Sequence, residues 1–340
     1  MSNNHIKYPS IKQFRSCIKS IEQAYCYIRD DVGLHTRDPS AKMPRLNFQA
    51  TVKLHGTNAG VRIDKDFNVT AQSRSRDLTL EFDNAGFAAY IDYNKECFVG
   101  MREALDSKYP GFDNLPLVIF GEWCGGSIQK GIALNELEKM FVVFGVCYID
   151  EGEKHWLPDN DLSLISYAEI RLYNVNQFQT WNVEIDFENP KDIQNELIRI
   201  TEEVERSCPV GKALGVDGIG EGIVLTCNTD MGRFQFKSKG EKHSSSRVKK
   251  LNSVNVEELN SIKEFVDYAV TENRLEQMAQ ESISNDFDRK NLGAFIKAVS
   301  RDIIKEESDV LFESGLTMRD VGSSLSTKSR KWFFDQEKQL

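Results

Sequence analysis

The feature that most constrains the fold is a change of texture along the chain, near residues 242–254. Before it, short runs rich in β-branched and aromatic residues, such as FQATVKL, AGVRID and NVTAQS, are separated by Gly, Asn and charged residues. Such runs predict strands and turns. After it, VEELNSIKEFVDYAV and FDRKNLGAFIKAVSRDIIKEE place apolar residues at helical spacing. The sequence therefore predicts an α+β domain over 1–245 and a smaller helical domain over 246–340.

Within the larger domain, four further runs have strand texture: LPLVIFGEW, KMFVVFGVCYI, GEGIVLTC and GRFQFKSK. The first two are compact, apolar and bounded by Gly or charge, as expected of buried strands. Three segments have helical patterns: 11–27, 82–108 and 186–207.

Composition places the chain among globular proteins, because 40% of its 340 residues are hydrophobic and 28% are charged. No run approaches the roughly 18 apolar residues of a membrane helix. The N-terminus lacks the apolar run of a secretory signal. Seven scattered cysteines without a CxxC pair favour reduced thiols and argue against a cysteine zinc site. We therefore expect a cytoplasmic protein without a membrane partner, and no protein partner is evident.

The net charge of −9 does not exclude a nucleic acid partner, because positive charge is concentrated locally. The segment 237–250 contains six basic residues and one acid, Glu241. The basic residues are Lys237, Lys239, Lys242, Arg247, Lys249 and Lys250. An acidic exterior with one basic groove is compatible with a polyanion bound at one place.

The most informative motif is KLHGTN, from Lys53 to Asn58. It places a lysine at the end of an apolar strand, directly before a polar turn that contains Gly56. A rigid strand end can aim the amine into a cleft, and a lysine acts as a nucleophile once it is deprotonated. Taken alone, a lysine and glycine at this spacing far more often mark a surface lysine in a β-turn.

Two further motifs contain charged groups suited to a nucleotide. In QSRSR, strand alternation would place Arg74 and Arg76 on one face, with planar donors that suit phosphate oxygens. In FGEW, Glu122 directly follows a buried strand, where a carboxylate can accept a sugar hydroxyl or hold a metal. The alternatives are solvated edge arginines and a structural ion pair.

Three motifs complete the set. Phe144 lies near a strand end in FVVF, where an aromatic ring can stack on a purine or pack in the core. Glu221 lies between two glycines before IVL, which predicts an exposed carboxylate in a tight turn or at a metal site. Lys237 and Lys239 are two residues apart on a strand, so that both amines point to one side and suit an anion or water.

The six motifs, in this order, resemble those of the covalent nucleotidyltransferases, which include polynucleotide ligases and mRNA capping enzymes. The nearest resemblance is to the phage-type RNA ligase 2 family, because His55 gives KxHG where DNA ligases and capping enzymes carry KxDG. The resemblance covers about 45–245, and the C-terminal helices match only in character. It implies a nucleotidyltransferase (ATP-grasp-like ligase) domain of antiparallel sheets with flanking helices, followed by a small helical RNA-binding domain.

The resemblance also implies an activity. Lys53 would attack the α-phosphate of ATP to form lysyl-AMP, the AMP would pass to an RNA 5′-phosphate, and an RNA 3′-hydroxyl would displace it. Glu221 would hold Mg²⁺ or Mn²⁺. The partners implied are ATP and RNA ends, with nicks in duplex RNA as the expected substrate.

The remaining roles also follow from the resemblance. Lys237 and Lys239 would neutralise phosphate charge, Glu122 would accept the ribose hydroxyls, and Phe144 would stack on adenine. His55, Gly56 and Asn58 would shape the phosphate and RNA-end pocket. Arg74 would contact the nucleotide or the RNA terminus, with Arg76 as the alternative.

Two positions depart from the family pattern: Val52 replaces a glutamate near the adenine edge, and Gly145 replaces a frequent aspartate. Two other functions stay open beside the RNA ligase. One is another covalent nucleotidyltransferase, either a DNA ligase or a capping-type guanylyltransferase. The other is a non-catalytic protein that binds RNA ends.

Overall fold

The computed structural model describes residues 5–29, 35–129, 131–240 and 262–337. The predicted boundary at 242–254 and the basic residues Lys242, Arg247, Lys249 and Lys250 lie outside these ranges. The chain divides into two compact units. Unit one comprises Met1–Ser10, Gln49–Asn182 and Glu203–Val224, and unit two comprises Ile11–Phe48, Val183–Glu202 and Leu225–Leu340. The predicted domains, 1–245 and 246–340, stay a prediction.

Unit one contains a six-stranded sheet in the order β10-β8-β7-β5-β6, with β9 paired to β8. Its strands are β5 (Thr57–Ile63), β6 (Val69–Ser73), β7 (Leu117–Cys124), β8 (Met140–Asp150), β9 (Glu153–Trp156) and β10 (Leu172–Asn174). The pairs are antiparallel except β10 with β8. The helices are α2 (Phe87–Tyr93), α3 (Lys95–Lys108) and α5 (Pro209–Ala213).

Side chains alternate along these strands, so that one face of the sheet packs in the main core and the other carries two of the predicted site residues. Ile119 and Trp123 of β7 pack in the main core of unit one, with α2 and α3. Val118 and Phe120, which point to the opposite face of β7, belong to a smaller cluster, and Phe144 of β8 packs against it. Glu122 continues this second series, since side chains two residues apart share a face. The predicted buried strands are confirmed. Alternation along β7 places Glu122 on the face of Phe120, and Phe144 packs on that face where the register of β7 and β8 shifts.

A five-stranded sheet has the order β1-β13-β12-β4-β11. Its strands are β1 (Lys12–Gln13), β4 (Arg45–Val52), β11 (Trp181–Asp186), β12 (Gly222–Thr229) and β13 (Gly232–Lys239). Helix α1 (Phe14–Cys26) packs on β13 in unit two, where the rings of Phe14 and Phe236 lie 4.8 Å apart. Strands β2 (Tyr27–Arg29) and β3 (His35–Arg37) form a separate antiparallel pair, and α4 spans Gln194–Arg206.

The C-terminal part of unit two is helical, as predicted. It contains α6 (Ile262–Ala269), α7 (Glu272–Ile283), α8 (Leu292–Glu313) and α9 (Met318–Glu337). The apolar residues expected on one face of α6 and α8, including Phe265, Phe295 and Ile303, lie in a shared core. Five short 3-10 turns complete the described secondary structure: Ala133–Glu136, Asp159–Leu164, Ala168–Ile170, Val175–Gln177 and Arg289–Asn291.

Two predicted helices were too long. The helix expected over 82–108 begins at Phe87, because Gly86 has φ of 84° and the Asp83 carboxylate accepts the amides of Ala88 and Ala89. It divides into two helices at Asn94. The helix expected over 186–207 begins at Gln194. Strand β11 ends at Asp186, and a proline at position 190 disfavours helical geometry in the residue before it.

The α+β class with antiparallel sheets, flanking helices and a helical C-terminal region is thus confirmed. All seven cysteines are free thiols. Among the described ranges, no helix has the length and apolar character needed to cross a membrane.

Candidate active site

Strand β4 delivers Lys53 to the site. The strand ends at Val52, and the Lys53 amide donates to the Gly222 carbonyl at 2.8 Å. The neighbouring side chains of Val52 and Leu54 are buried. The backbone is therefore fixed before and after Lys53, while 20% of the lysine side-chain surface is exposed.

Glu221 contacts both Lys53 and His55 of the KLHGTN motif. One oxygen, Oε2, accepts from Lys53 Nζ at 2.6 Å and lies 3.0 Å from His55 Nδ1. The expectation that Glu221 would be exposed was wrong, because only 2% of its side-chain surface is accessible. The reason is the adjacent Gly220: a Cβ there would lie 2.6 Å from the Val204 carbonyl, so the turn packs tightly and the carboxylate is satisfied internally.

A second carboxylate, Glu122, organises the turn after Lys53. Its Oε1 accepts the Gly56 amide at 3.0 Å, and it pairs in register with Asn58. A Cβ on Gly56 would lie 2.4 Å from the Trp123 carbonyl, so this turn requires glycine. Burial of the carboxyl group, together with the negative charge of Glu221 and against the effect of Lys53, raises the pKa of Glu122 to about 7. Glu122 can therefore both accept and donate hydrogen bonds near neutral pH.

Phe144 lies on the same sheet face and is only partly buried. The ring of Tyr8 lies 4.8 Å away at 68°, and it also contacts Phe120 and Trp156. Sequence reasoning missed Tyr8, since a single tyrosine in the lead-in segment has no distinguishing pattern. A Cβ on Gly145 would lie 3.0 Å from Trp156, which accounts for a glycine where an aspartate is frequent.

The two arginines of QSRSR do not share a strand face, so that expectation was wrong. Strand β6 ends at Ser73, whose hydroxyl accepts the Arg76 amide and closes a turn. Arg76 Nη1 donates to the Phe82 carbonyl at 2.7 Å, which commits its guanidinium to the loop. The Arg74 side chain is exposed and has no hydrogen-bond partner within the described ranges. Arg74 is therefore the arginine that remains accessible to a ligand.

Lys237 and Lys239 lie in unit two, on one face of β13, which confirms their predicted alternation. Lys237 Nζ donates to Glu306 Oε1 of α8 at 2.7 Å, and Lys305 lies 3.0 Å from the same oxygen. Sequence reasoning missed Glu306, which is one of several acids in a charged helix. The structure brings Lys53, His55, Gly56, Glu122 and Glu221 together in unit one, whereas the proximity of Lys237 and Lys239 to Lys53 stays a prediction.

The environment of Lys237 perturbs its titration. Burial lowers the pKa of Lys237 to about 8, Glu306 opposes this shift, and Lys239 and Lys305 add to it. The same lysines hold the pKa of Glu306 well below its usual range, against the effect of burial. Lys237 is thus a cation below about pH 8 and is increasingly neutral above it.

Replacing Glu306 with Gln should lower the pKa of Lys237 further, by about one unit or more, because the opposing charge is removed while burial, Lys239 and Lys305 remain. The neutral and reactive amine would then appear at lower pH. Competitive labelling with acetic anhydride across a pH series, read by mass spectrometry, measures this shift. A titration of Lys237 that is unchanged in Glu306→Gln would contradict it, and exposed Lys65 serves as the internal reference.

The described residues contain no group of three or more His, Cys, Asp or Glu side chains that could hold a metal ion. Glu221 does offer a buried carboxylate, and Glu122 acts on it electrostatically. Magnesium commonly takes one or two carboxylates and completes its shell with substrate phosphates and water. The donor set therefore fits a divalent ion that arrives with a phosphorylated substrate.

One family model matches the chain. The model of the family described as RNA ligase matches residues 46–249, which is more than half of the chain. No curated protein matches the chain.

Several solved structures of Naegleria gruberi RNA ligase are similar. One with PPi is 19% identical, with a TM-score of 0.42, covering 71% of this chain and 60% of that one. A point variant with ATP and Mn is 19% identical, with a TM-score of 0.44, covering 69% and 56%. A variant with AMP and Mn is 18% identical, with the same TM-score and coverage. The match thus spans less than two thirds of those proteins.

The family match begins at Leu46, the second residue of β4, and includes all six motifs. It confirms the resemblance to RNA ligases that the motifs indicate. This chain belongs to the RNA ligase family.

Proposed function

We propose that the chain is an ATP-dependent RNA ligase that joins RNA 3′-hydroxyl and 5′-phosphate ends through a lysyl-AMP intermediate. The observation that carries the proposal is the amine of Lys53, fixed at a strand end and held 2.6 Å from the buried carboxylate of Glu221. A partly exposed amine on a rigid backbone, oriented by one hydrogen bond, is positioned to meet an incoming phosphate.

In the first step, the Lys53 nitrogen forms a bond to the α-phosphorus of ATP. The bond from that phosphorus to the bridging oxygen breaks, and pyrophosphate leaves with the electron pair. The amine attacks in its neutral form, so its ammonium proton must first pass to bulk water, which the 20% exposed surface of the side chain allows. Such phosphoryl transfer depends chiefly on positioning and charge neutralisation.

The surrounding side chains supply that positioning. Glu122, with its pKa raised to about 7, can accept from and donate to ribose hydroxyls. Phe144 offers a ring face to adenine, beside Tyr8. Arg74 provides an accessible guanidinium for a phosphate. The turn at Gly56 and Asn58 supports the phosphate and RNA-end pocket, and Lys237 and Lys239 neutralise phosphate charge.

Glu221, together with the phosphates of ATP, would hold Mg²⁺ or Mn²⁺, which would stabilise charge on the transferred phosphoryl group. The carboxylate that binds the cation is the same one that pairs with Lys53. With a cation on Glu221, the Lys53 amine would no longer be paired with that carboxylate's charge. His55 Nδ1 lies 3.0 Å from the same oxygen and would help to orient the carboxylate.

In the later steps, AMP passes from Lys53 to the 5′-phosphate of RNA, and the 3′-hydroxyl then attacks that phosphate and releases AMP. The substrate we propose is nicked duplex RNA, in which the complementary strand keeps the two ends adjacent. Juxtaposed ends react effectively as one molecule, which lowers the entropic cost of joining them. The cellular role would be RNA repair in the cytoplasm.

One comparison tests the substrate. We expect the protein with ATP and Mg²⁺ to seal nicked duplex RNA faster than single-stranded RNA, and faster than nicked duplex DNA. Denaturing gels of end-labelled strands measure the initial rates with one preparation. Preferential sealing of the DNA nick would contradict the proposal and favour a DNA ligase, and covalent labelling by GTP in preference to ATP would favour a guanylyltransferase.

A further inference from the structure

The amine of Lys237 is paired with an acid of the chain itself. Lys237 Nζ donates to Glu306 Oε1 at 2.7 Å, and 10% and 8% of the two side-chain surfaces are exposed. Lys305 lies 3.0 Å from the same oxygen. The amide of Gln13 donates to Glu306 Oε2 at 3.4 Å. The carboxylate is therefore surrounded by two amines and an amide, which are donors that would equally suit a phosphate.

The acids next to Glu306 attach helix α8 to its neighbours independently. Glu307 accepts from Arg274 and from Arg15, both at 2.9 Å. Asp309 accepts from Arg15 at 2.7 Å. Guanidinium groups present several donors in a fixed plane, which gives such pairs a defined geometry. Helix α8 would therefore remain attached if the side chain of Glu306 rotated away.

The pair of Lys237 and Glu306 can exchange more readily than these arginine pairs. A lysine amine is a compact charge with rotatable donors, so one anion can replace another without a fixed geometry. Part of each side chain is exposed, so a displaced carboxylate can move into water. Exchange thus requires rotation of a glutamate side chain and no movement of α8.

We propose that Glu306 is an internal competitor for the phosphate that Lys237 binds, so that a substrate phosphate must displace its carboxylate. The inference rests on the proposed function, in which Lys237 neutralises phosphate charge, and it adds an autoinhibitory contact. Lys239 and Lys305 act electrostatically on both members of the pair. The same two lysines would attract an incoming phosphate, which offers more charge and more acceptor oxygens than a carboxylate.

The strength of the contact sets the size of the effect. A ligand that binds only the open form loses affinity in proportion to the fraction of molecules that are open. If the contact is formed in about nine molecules in ten, apparent affinity is about tenfold weaker than without it. Removing the carboxylate should therefore strengthen phosphate binding, whereas a purely structural ion pair gives no such gain.

Pyrophosphate is the probe, because it tests the anion site without a covalent step. Isothermal titration calorimetry of the full chain, without ATP or divalent metal, measures the affinity. In Glu306→Gln we expect pyrophosphate to bind about tenfold more tightly than in the wild type. The assay is made near pH 6, where Lys237 stays largely protonated even if its pKa, about 8 in the intact chain, falls by about one unit.

Two control variants show whether the gain belongs to this contact. Glu272→Gln removes the same charge from an exposed position of α7 in the same unit and should bind pyrophosphate as the wild type does. Lys237→Ala/Glu306→Gln should bind it no more tightly than Lys237→Ala. An unchanged or weaker affinity in Glu306→Gln, an equal gain in Glu272→Gln, or a full gain without Lys237 would each overturn the inference.

Thermal melting verifies that Glu306→Gln folds. Without ligand its Tm should fall, because Lys237 is largely buried and loses its charged partner. Pyrophosphate should then raise the Tm of the variant by more than it raises that of the wild type. Should Glu306→Gln not fold, Glu306→Asp keeps the charge but shortens its reach, and should bind pyrophosphate about two- to threefold more tightly. Wild-type affinity in Glu306→Asp would then overturn the inference.

The two proposals fail separately in these experiments. AMP transfer to Lys53 without any gain of pyrophosphate affinity in Glu306→Gln, or without detectable pyrophosphate binding in either protein, overturns only the competition by Glu306. Absence of AMP transfer to Lys53 overturns the proposed function, whatever the affinity for pyrophosphate.

Discussion

Replacing Lys53 with Ala should abolish covalent transfer of AMP to the protein, and with it the sealing of RNA ends by ATP. The amine is the only atom group of that side chain that can form the phosphoramidate bond, and alanine retains none of it. Lys53→Arg should be equally inactive, because a guanidinium stays protonated and cannot attack phosphorus. Incubation with α-labelled ATP and Mg²⁺, followed by a denaturing gel, measures the transfer.

The control for this experiment is Lys65→Ala, an exposed lysine in the turn after β5, which should label as strongly as the wild type. Folding of Lys53→Ala can be verified by thermal melting, since the backbone contact of residue 53 with Gly222 does not need the side chain. Labelling of Lys53→Ala at the wild-type level would show that another residue is the nucleophile.

Replacing Glu221 with Gln should reduce AMP transfer about a hundredfold or more, the usual range for loss of one electrostatic contact to the reacting group. Gln has nearly the same shape, but it carries no charge to orient Lys53 or to hold a divalent ion. The initial rate of label transfer across a Mg²⁺ series should show both a lower maximum and a weaker dependence on the metal.

The matched control is Glu184→Gln, which removes a carboxylate from an exposed ion pair with Arg45 and should leave label transfer intact. The free energy of unfolding of Glu221→Gln should fall, since Lys53 and His55 lose a charged partner at a site where Glu221 is almost fully buried. Wild-type transfer in Glu221→Gln would remove Glu221 from the metal role and from the orientation of Lys53.

Much of the fold was predictable because the apolar residues that form local sequence patterns are the residues buried in the core. Apolar runs such as the one ending at Glu122 formed the central strands, and 3.6-residue periodicity located α8. The sequence does not by itself predict that Lys53 pairs with Glu221. It shows only the order of their two motifs along the chain, which carries the resemblance. The distance of 168 residues between them leaves no local signal.

The expectations that the structure does not bear out have a common physical cause. Contacts that form in the folded chain outweigh the preferences of the local sequence. Glu221 is buried because Gly220 packs against Val204, which a pattern of glycines around an acid does not reveal. Arg76 leaves the predicted strand because its guanidinium donates to the Phe82 carbonyl. No sequence feature distinguishes Glu306 from the other acids of α8, because its pairing with Lys237 forms only in the folded chain.

The most direct measurement of the central claim is the location of AMP on the wild-type protein. After incubation with ATP and Mg²⁺, intact-mass spectrometry should show the addition of one adenylyl group, and peptide mapping at neutral to alkaline pH should place it on Lys53. Addition of pyrophosphate should remove it, because the phosphoramidate forms reversibly. An unmodified protein, or AMP on a residue other than Lys53, would contradict the account.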